Sequence, residues 1–118
     1  MPYVDGFLLT VPRRKLPLYR NISRRAGRIW KELGALEYRE CAGDDLNIKM
    51  GRPFTKAAGQ KAGETVIFSW IVYRSKGHRN QVNRKVMKDP RITKMMADAM
   101  PFDPRKMSMG GFKVIVDL

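Results

Sequence analysis

Two spacings of apolar residues alternate along the chain and predict its elements. Side chains two apart share one face of a strand, and side chains three and four apart share one face of a helix. Strands are predicted at 1–11, 35–41, 65–73 and 110–118. Helices are predicted at 16–33 and 75–88, followed by a shorter piece at 89–100 that begins with an Asp-Pro pair. This order predicts an α+β fold of the ferredoxin-like βαββαβ type, with one antiparallel sheet and its helices on one face.

The first predicted helix is amphipathic. Its apolar face is expected to contain Leu18, Ile22, Ala26, Ile29 and Leu33. Its opposite face carries the basic residues Arg20, Arg24, Arg25, Arg28 and Lys31. Pro17 suits the first turn, and Gly34 suits the position after the last turn. A charged outer face is typical of a surface helix, so the basic row by itself predicts only contact with water.

The third predicted strand, TVIFSWIVY at 65–73, is apolar on both faces. One face carries Val66, Phe68, Trp70 and Val72, and the other carries Ile67, Ile71 and Tyr73. We expect the second set to lie on the side that the helices leave open. Exposure of that set and a partner from the first strand would cost roughly 6–12 kcal/mol, against a total domain stability of about 5–15 kcal/mol. A homodimer that packs sheet against sheet is therefore predicted, and Ile71→Asp is expected to break both the dimer and the fold.

The composition limits the architecture. A chain of 118 residues is long enough for one core and too short for two, so 1–118 is expected to form a single domain. The lone cysteine, Cys41, has no partner for a disulfide within the chain, and no N-terminal apolar stretch has the length of a signal peptide. No run approaches the about twenty apolar residues that a membrane helix needs. These features predict a cytoplasmic protein with no membrane partner.

Candidate functional side chains gather where the third strand leads into the next helix. His78 is the only histidine, and its ring can transfer a proton near neutral pH. Ser75 and Arg79 lie beside it at a helix start, where unpaired N–H groups favour an anionic or carbonyl oxygen. Trp70 and Asn83 complete the predicted ligand-binding set. The alternative interpretation is structural, because first-turn polar residues commonly cap helices and a tryptophan commonly belongs to a core.

A second candidate is an acidic cluster after the second strand, formed by Glu40, Asp44 and Asp45. Paired carboxylates can serve acid–base chemistry, although Asp44 and Asp45 also suit a turn. One histidine and one cysteine supply few ligands for a transition metal, so no metal site is predicted. No phosphate-binding loop, dinucleotide fingerprint or nucleophile elbow is present, and we predict no cofactor.

Several short motifs, in order along nearly the whole chain, resemble the YbaA-like family of bacterial domains of unknown function. They are YVDGF at 3–7, VP at 11–12, GAL at 34–36, EC and DD within 40–45, ETVIFSWI at 64–71, HR with N-x-K-x-M-x-DPR within 78–91, and MPFD, RKM and GGF within 100–112. The resemblance implies a dimeric α+β barrel, in which two ferredoxin-like subunits pair through their sheets. It implies no activity. Asn80 and Arg74 depart from residues that the family often has at these positions.

Two interpretations of function remain. The first is a small-molecule-binding protein or enzyme with a pocket between sheet and helices, and the sequence leaves open whether any reaction occurs. The second is a nucleic-acid-binding module, because 24 Lys and Arg against 11 Asp and Glu give a net charge of +13. RNA-recognition domains share the βαββαβ order, but the strand at 66–73 lacks the basic residue and glycines of their stacking motif. Only weak, sequence-indifferent binding through the basic helix faces is then expected.

Overall fold

The computed structural model describes all residues from 1 to 118. The elements in chain order are β1 (Tyr3–Pro12), α1 (Leu16–Glu32), β2 (Glu37–Ala42), α2 (Phe54–Ala57), β3 (Glu64–Tyr73), α3 (Lys76–Lys88), α4 (Pro90–Ala97) and β4 (Ser108–Lys113). One four-stranded sheet has the order β2-β3-β1-β4, and every pairing in it is antiparallel. The predicted ferredoxin-like plan is confirmed. None of the helices has the length and apolar character that a membrane crossing requires.

The predicted orientation of β3 is wrong. Ile67, Ser69, Ile71 and Tyr73 face the helices and are almost fully buried. Ile71 and Tyr73 form one core cluster with residues of the helices, including Val82 and Val86. Both faces of β3 are similarly apolar, and alternation alone does not say which of them the helices will cover.

The open side of the sheet carries the other set of β3 side chains. Phe68 is 45% exposed, while Trp70 and Val72 are half-buried. The loop after β2 and the short helix α2 cover one end of this side, where the rings of Phe54 and Phe68 lie 5.9 Å apart. The rest of the open side carries apolar side chains of β3 beside the charged Glu37 and Arg39 of β2.

Helix α1 is rotated relative to its predicted apolar face, although Ile29 is buried and Ala26 and Leu33 pack against the core as predicted. Leu18 is 49% exposed, and the buried residues are Tyr19, Ser23, Gly27 and Ile29. Gly27 explains the rotation in part, because a Cβ at this position would lie only 2.6 Å from the ring of Tyr38. The basic residues at 20, 24, 25, 28 and 31 are exposed as predicted.

The predicted helix caps after β3 are present. The Ser75 hydroxyl accepts the His78 backbone N–H at 3.1 Å, and the Asp89 carboxylate accepts the Arg91 backbone N–H at 2.9 Å. Helix α4 ends at Ala97 and so is three residues shorter than predicted.

The last strand is shifted relative to its prediction at 110–118. It begins at Ser108 and ends at Lys113, because only these residues pair with β1. Beyond it, Val114 donates its backbone N–H to the Pro2 carbonyl. Ile115, Val116 and Leu118 then lie exposed outside the sheet.

Candidate functional site

A cavity of about 550 Å³ lies between the helix side of the sheet and the helices. It is lined by members of both core clusters, including Leu9, Tyr19, Ile71 and Ile92. Of its 26 lining residues, 17 are hydrophobic, so its walls suit an apolar molecule. Its volume falls within the range of about 300–1,000 Å³ that small-molecule sites occupy.

One wall of this cavity consists mostly of methionines. They are Met87, Met95, Met96, Met100, Met107 and Met109. In the sequence alone, these methionines suggest only ordinary filling of gaps in a core. Unbranched, polarizable side chains adapt to the shape of a bound molecule, particularly to aromatic rings. Their position makes the wall apolar and deformable.

Glu40 is the acidic group on the β2 side of the cavity. It points to the helix side of the sheet, opposite Ser69. The Tyr19 hydroxyl donates to its two oxygens at 3.0 and 2.9 Å. Burial raises the pKa of the Glu40 carboxyl, and the hydroxyls of Tyr19, Tyr38 and Ser69 offset part of that rise. Burial also raises the pKa of Tyr19 and Tyr38, so both phenols remain protonated donors.

Arg79 and Asp5 form the charged group on the β1 side of the cavity. The Arg79 Nη1 lies 3.8 Å from Asp5 Oδ1, and its Nη2 donates to the Tyr3 hydroxyl at 3.2 Å. The guanidinium also lies 4.9 Å from the centre of the Tyr3 ring. Its Nε is buried and has no hydrogen-bond partner, and Arg79 is among the residues that line the cavity.

His78, proposed from the sequence as a proton-transferring group at a helix start, is buried. The residue is only 8% exposed, and its Nδ1 accepts the Arg74 backbone N–H at 3.0 Å. The ring packs edge-on against Tyr73. Burial lowers the pKa of His78, and the nearby Arg74 and Lys85 charges lower it further. His78 does not line the cavity, so its proposed catalytic role stays a prediction without a contact to the site.

The structure separates the other predicted ligand-binding residues. Arg79 and Asn83 both line the cavity, where the Asn83 side-chain oxygen accepts the Tyr73 hydroxyl at 3.2 Å. Ser75 is an exposed helix cap. The indole of Trp70 points to the open side of the sheet, where its N–H donates to Glu37 at 3.0 Å and its ring lies 5.6 Å from that of Phe68. Trp70 is nevertheless among the residues that line the cavity.

The acidic residues after β2 do not form the predicted cluster. Glu40 points into the gap between sheet and helices, whereas Asp44 and Asp45 are exposed in the following loop. No three His, Cys, Asp or Glu side chains lie close enough together to hold a metal ion. Glu40 lies within β2, whereas Asp44 and Asp45 follow the end of the strand at Ala42, so the sheet does not hold them beside it.

Sequence reasoning missed Asp5, Tyr19 and Ser69 as cavity residues. A signal for Asp5 was present, because this charged residue occupies the same strand face as the apolar Tyr3, Phe7 and Leu9. A charged residue at an inward position needs a partner, and Arg79 supplies it. No comparable signal existed for Tyr19, because its role depends on the rotation of α1.

A second depression, of about 1130 Å³, runs between α1 and the outer edge of β2. Its basic lining residues are Arg20, Arg24, Arg28, Lys31 and Arg39. Only Arg39 of these forms an ion pair, with Glu37 at 3.5 Å. We call this feature the basic groove. Glu40 and Tyr19 line both the basic groove and the cavity, so the two features meet at this carboxylate.

The sequence matches known proteins over nearly its whole length. A family model described as "Protein of unknown function (DUF1428)" matches residues 2–104. The proteins named "Uncharacterized protein YbaA" from Escherichia coli and Shigella flexneri are 42% identical over 117 residues, covering 99% of both chains.

Two solved structures have a similar fold. Rv0793 from Mycobacterium tuberculosis matches with a TM-score of 0.61 at 13% identity, over 99% of this chain and 98% of that one. SnoaB, a cofactor-independent oxygenase from Streptomyces nogalater, matches with a TM-score of 0.57 at 13% identity, over 99% and 96% of the two chains. Both have folds of the dimeric α+β barrel type. At this identity the likeness identifies the fold alone.

Proposed function

We propose that this chain, which belongs to the DUF1428 family of proteins of unknown function, binds a small and mainly apolar molecule between its sheet and its helices. The observation that carries the proposal is the cavity of about 550 Å³, whose lining is mostly hydrophobic. A few polar groups placed on opposite sides of an apolar pocket are the usual composition of a small-molecule site. Here those groups are Glu40 on one side and the Asp5–Arg79 pair on the other.

A catalytic use of the cavity extends the same proposal. SnoaB, which has the same fold, is a cofactor-independent oxygenase. A reaction of that class depends on the protein's own side chains to bind, orient and exchange protons with the substrate. Glu40 is a buried carboxyl with a raised pKa in this cavity, and such groups are candidates for acid–base chemistry. We therefore propose small-molecule binding as the main function and proton exchange at Glu40 as the chemistry of any reaction in the cavity.

The open side of the sheet supports the homodimer, with a different set of β3 residues from the one predicted. Phe68, Trp70 and Val72 lie on this side together with Leu8 of β1 and Phe112 of β4. Removing one such side chain from water stabilises an assembly by about 1.5–3 kcal/mol. A second copy of the chain covers both open sides through one symmetric contact.

The small-molecule proposal is tested by filling the cavity. Ala26 is half-buried in α1 and lines the cavity, so Ala26→Phe places a ring inside it. Thermal shifts are measured across a panel of aromatic and aliphatic molecules for the wild type and this variant. Molecules that stabilise the wild type are expected to lose their effect in Ala26→Phe.

The matched control is Ala62→Phe, at an exposed turn, which is expected to keep every shift. If Ala26→Phe does not fold, Met107→Phe fills the same cavity from the other side. Equal shifts in the wild type and a folded cavity-filled variant would place the ligand elsewhere and refute the proposal.

The basic groove supports a second candidate function, weak nucleic-acid binding. Arg20, Arg24 and Arg28 follow one another at four-residue spacing and form no ion pair, so their charges are free to meet phosphates. Affinity for a single-stranded oligonucleotide is expected to be micromolar or weaker at physiological salt and to fall steeply with added salt. Arg20→Glu with Arg24→Glu should abolish it, whereas Lys85→Glu with Lys88→Glu on α3 should cause a smaller loss. Equal losses would assign the binding to net charge alone.

A further inference from the structure

Glu40 differs from the other buried acidic group of the cavity. Asp5 has a cationic partner in Arg79, whereas Glu40 forms no ion pair and is held only by phenol and serine hydroxyls. Taking a carboxylate out of water without a cation is costly, and its neighbours compensate only through hydrogen bonds. A site that accepts this cost leaves a carboxylate available for another donor.

The hydrogen bonds of Glu40 leave room for that donor. An ionised carboxylate offers about four lone-pair sites. The Tyr19 hydroxyl has one proton, which the two carboxylate oxygens of Glu40 share at 3.0 and 2.9 Å. Because Glu40 lines the cavity itself, its remaining acceptor sites are accessible to a molecule inside.

The surroundings of Glu40 select the chemistry of the donor. A carboxylate repels an anionic group, and Arg20 and Arg24 in the adjoining basic groove disfavour a cationic one. A neutral O–H group remains. A weakly acidic hydroxyl on an aromatic ring makes a charge-assisted hydrogen bond with a carboxylate, and such bonds are about twice as strong as neutral ones. The methionine wall suits the ring that carries it.

The far side of the cavity offers the complementary group. Glu40 lies opposite Ser69 on β3, and Ser69 lies opposite Phe7 on β1, two residues from Asp5. Two strand spacings separate β2 from β1, which is about 10 Å. There the buried Nε of Arg79 has no partner. A molecule with one or two rings can reach from one group to the other.

We infer that the cavity binds a planar aromatic molecule whose phenolic hydroxyl donates a hydrogen bond to Glu40, while an oxygen at its opposite end accepts one from Arg79. The inference rests on the proposed function and names the ligand class of the same cavity. Burial raises the pKa of Glu40. The groups that face Glu40 are Tyr19 of α1, Tyr38 of β2 and Ser69 of β3, with the α1 arginines at the mouth.

The test uses 4-nitrophenol and its methyl ether 4-nitroanisole, which differ by one methyl group and of which only the first has a hydroxyl donor. Wild-type protein is expected to bind 4-nitrophenol about tenfold or more tightly than 4-nitroanisole, measured by calorimetry at a pH below the pKa of 4-nitrophenol, where its hydroxyl keeps its proton. In Glu40→Gln this preference should largely disappear. Glu37→Gln is the control, because Glu37 lies on the same strand with its side chain on the open side, and it should keep the preference.

The absorbance of bound 4-nitrophenol gives a readout that a merely structural role of Glu40 would not change. An ionised Glu40 disfavours the nitrophenolate, so the pKa of the bound phenol should be higher than in water, and Glu40→Gln should remove this shift. Tyr19→Phe removes a donor that lowers the Glu40 pKa, so the Glu40 pKa should rise in this variant. As the pH falls, the variant should therefore lose 4-nitrophenol binding at a higher pH than the wild type does. Arg79→Lys keeps a positive charge near Asp5. It should weaken the affinity for 4-nitrophenol severalfold and leave the affinity for 4-ethylphenol unchanged, because 4-ethylphenol has no oxygen at its opposite end.

The outcomes separate the inference from the proposed function. If both nitro compounds bind the wild type equally well, and Ala26→Phe excludes both, the cavity binds small molecules but the assignment of Glu40 is wrong. If 4-nitrobenzylamine binds more tightly than 4-nitrophenol, the site selects a cation and the inference is again wrong. If no aromatic molecule binds and cavity filling changes nothing, the proposed function itself fails.

Discussion

Burial shifts the pKa of His78 and that of Glu40 in opposite directions. Burial lowers the pKa of His78, which favours its neutral ring, whereas burial raises the pKa of Glu40. Glu40 lines the cavity and His78 does not. At the scale of single residues, the buried histidine is therefore a structural residue, and Glu40 is the residue to which we assign proton exchange in the proposed function.

His78→Ala is expected to lower the free energy of unfolding by about 1–3 kcal/mol, because it removes the acceptor of the Arg74 N–H and leaves a void against Tyr73. The folded-state pKa of His78 lies below its unfolded value near 6.5. Its neutral form thus contributes stability above pH 6.5 that is lost as the pH falls through the folded-state pKa. Denaturant titrations between pH 5 and 8 should show this loss in the wild type and not in the variant.

Gln81→Ala, at an exposed position of the same helix, is the control and should change stability by less than about 0.5 kcal/mol. Equal stability of His78→Ala and Gln81→Ala would mean that the buried ring does not support the fold.

The packing of α1 on β2 is the contact between elements that shapes the mouth of the cavity. Gly27 lets the helix approach the Tyr38 ring, and Tyr38 also packs against Trp30 with ring centres 6.2 Å apart. The same approach brings Tyr19 within hydrogen-bonding distance of Glu40. One glycine therefore sets both the helix position and the surroundings of the carboxylate.

Gly27→Ala is expected to destabilise the protein by about 1–3 kcal/mol, because its Cβ would lie 2.6 Å from Tyr38 and overpacking outweighs the better helix propensity of alanine. Gly77→Ala on α3 is the matched control, since its Cβ would meet only the Ser75 hydroxyl oxygen at 3.9 Å. That variant should be neutral or slightly more stable. Thermal melts of the two variants compare them directly, and similar effects would argue against a close contact at Gly27.

The exposed segment after β4 is a further element that a second copy can cover. Ile115 is 84% exposed although it follows a strand that is part of the sheet. If the segment packs against a second copy, Ile115→Lys should weaken the dimer about tenfold or more, as measured by sedimentation at several concentrations. Met50→Lys changes an equally exposed apolar residue in the loop after β2 and serves as the control. Equal dissociation constants would exclude the segment from the interface.

At the scale of the whole molecule, we propose different roles for the two sides of the sheet. The helix side holds the core and the cavity, and the open side presents Phe68, Trp70 and Phe112 to the surroundings. An apolar surface of this kind on a small domain is typical of a protein interface. Ligand binding and dimerisation are thereby assigned to opposite sides of one sheet.

Phe68→Asp is expected to convert a dimer into a folded monomer, because the new carboxylate lies on the open side and can be hydrated there. Ile71→Asp places its carboxylate on the helix side within the core. This change should lower the free energy of unfolding by about 3 kcal/mol or more and so abolish folding. Sedimentation and circular dichroism distinguish the two results. A wild type that remains monomeric at micromolar concentration, or a Phe68→Asp variant that unfolds, would contradict the assigned interface.

The sequence by itself determined the order of the elements, the helix starts at Ser75 and Asp89, and the exposed basic row of α1. These features depend on spacings within a few residues, which any helix or strand imposes locally. The family resemblance and the ferredoxin-like plan followed from the same local motifs and are confirmed.

Only the tertiary structure decided which face of β3 is buried, that His78 enters the core, and that Glu40 rather than the acidic loop residues lines the cavity. Both faces of β3 are apolar, so the choice between them depends on the packing of α1 and α3. The Tyr19–Glu40 contact joins residues 21 positions apart, and the Arg79–Tyr3 contact joins residues 76 apart. Such contacts are set by sheet register and helix rotation, because these bring distant residues together with no trace in the local spacing.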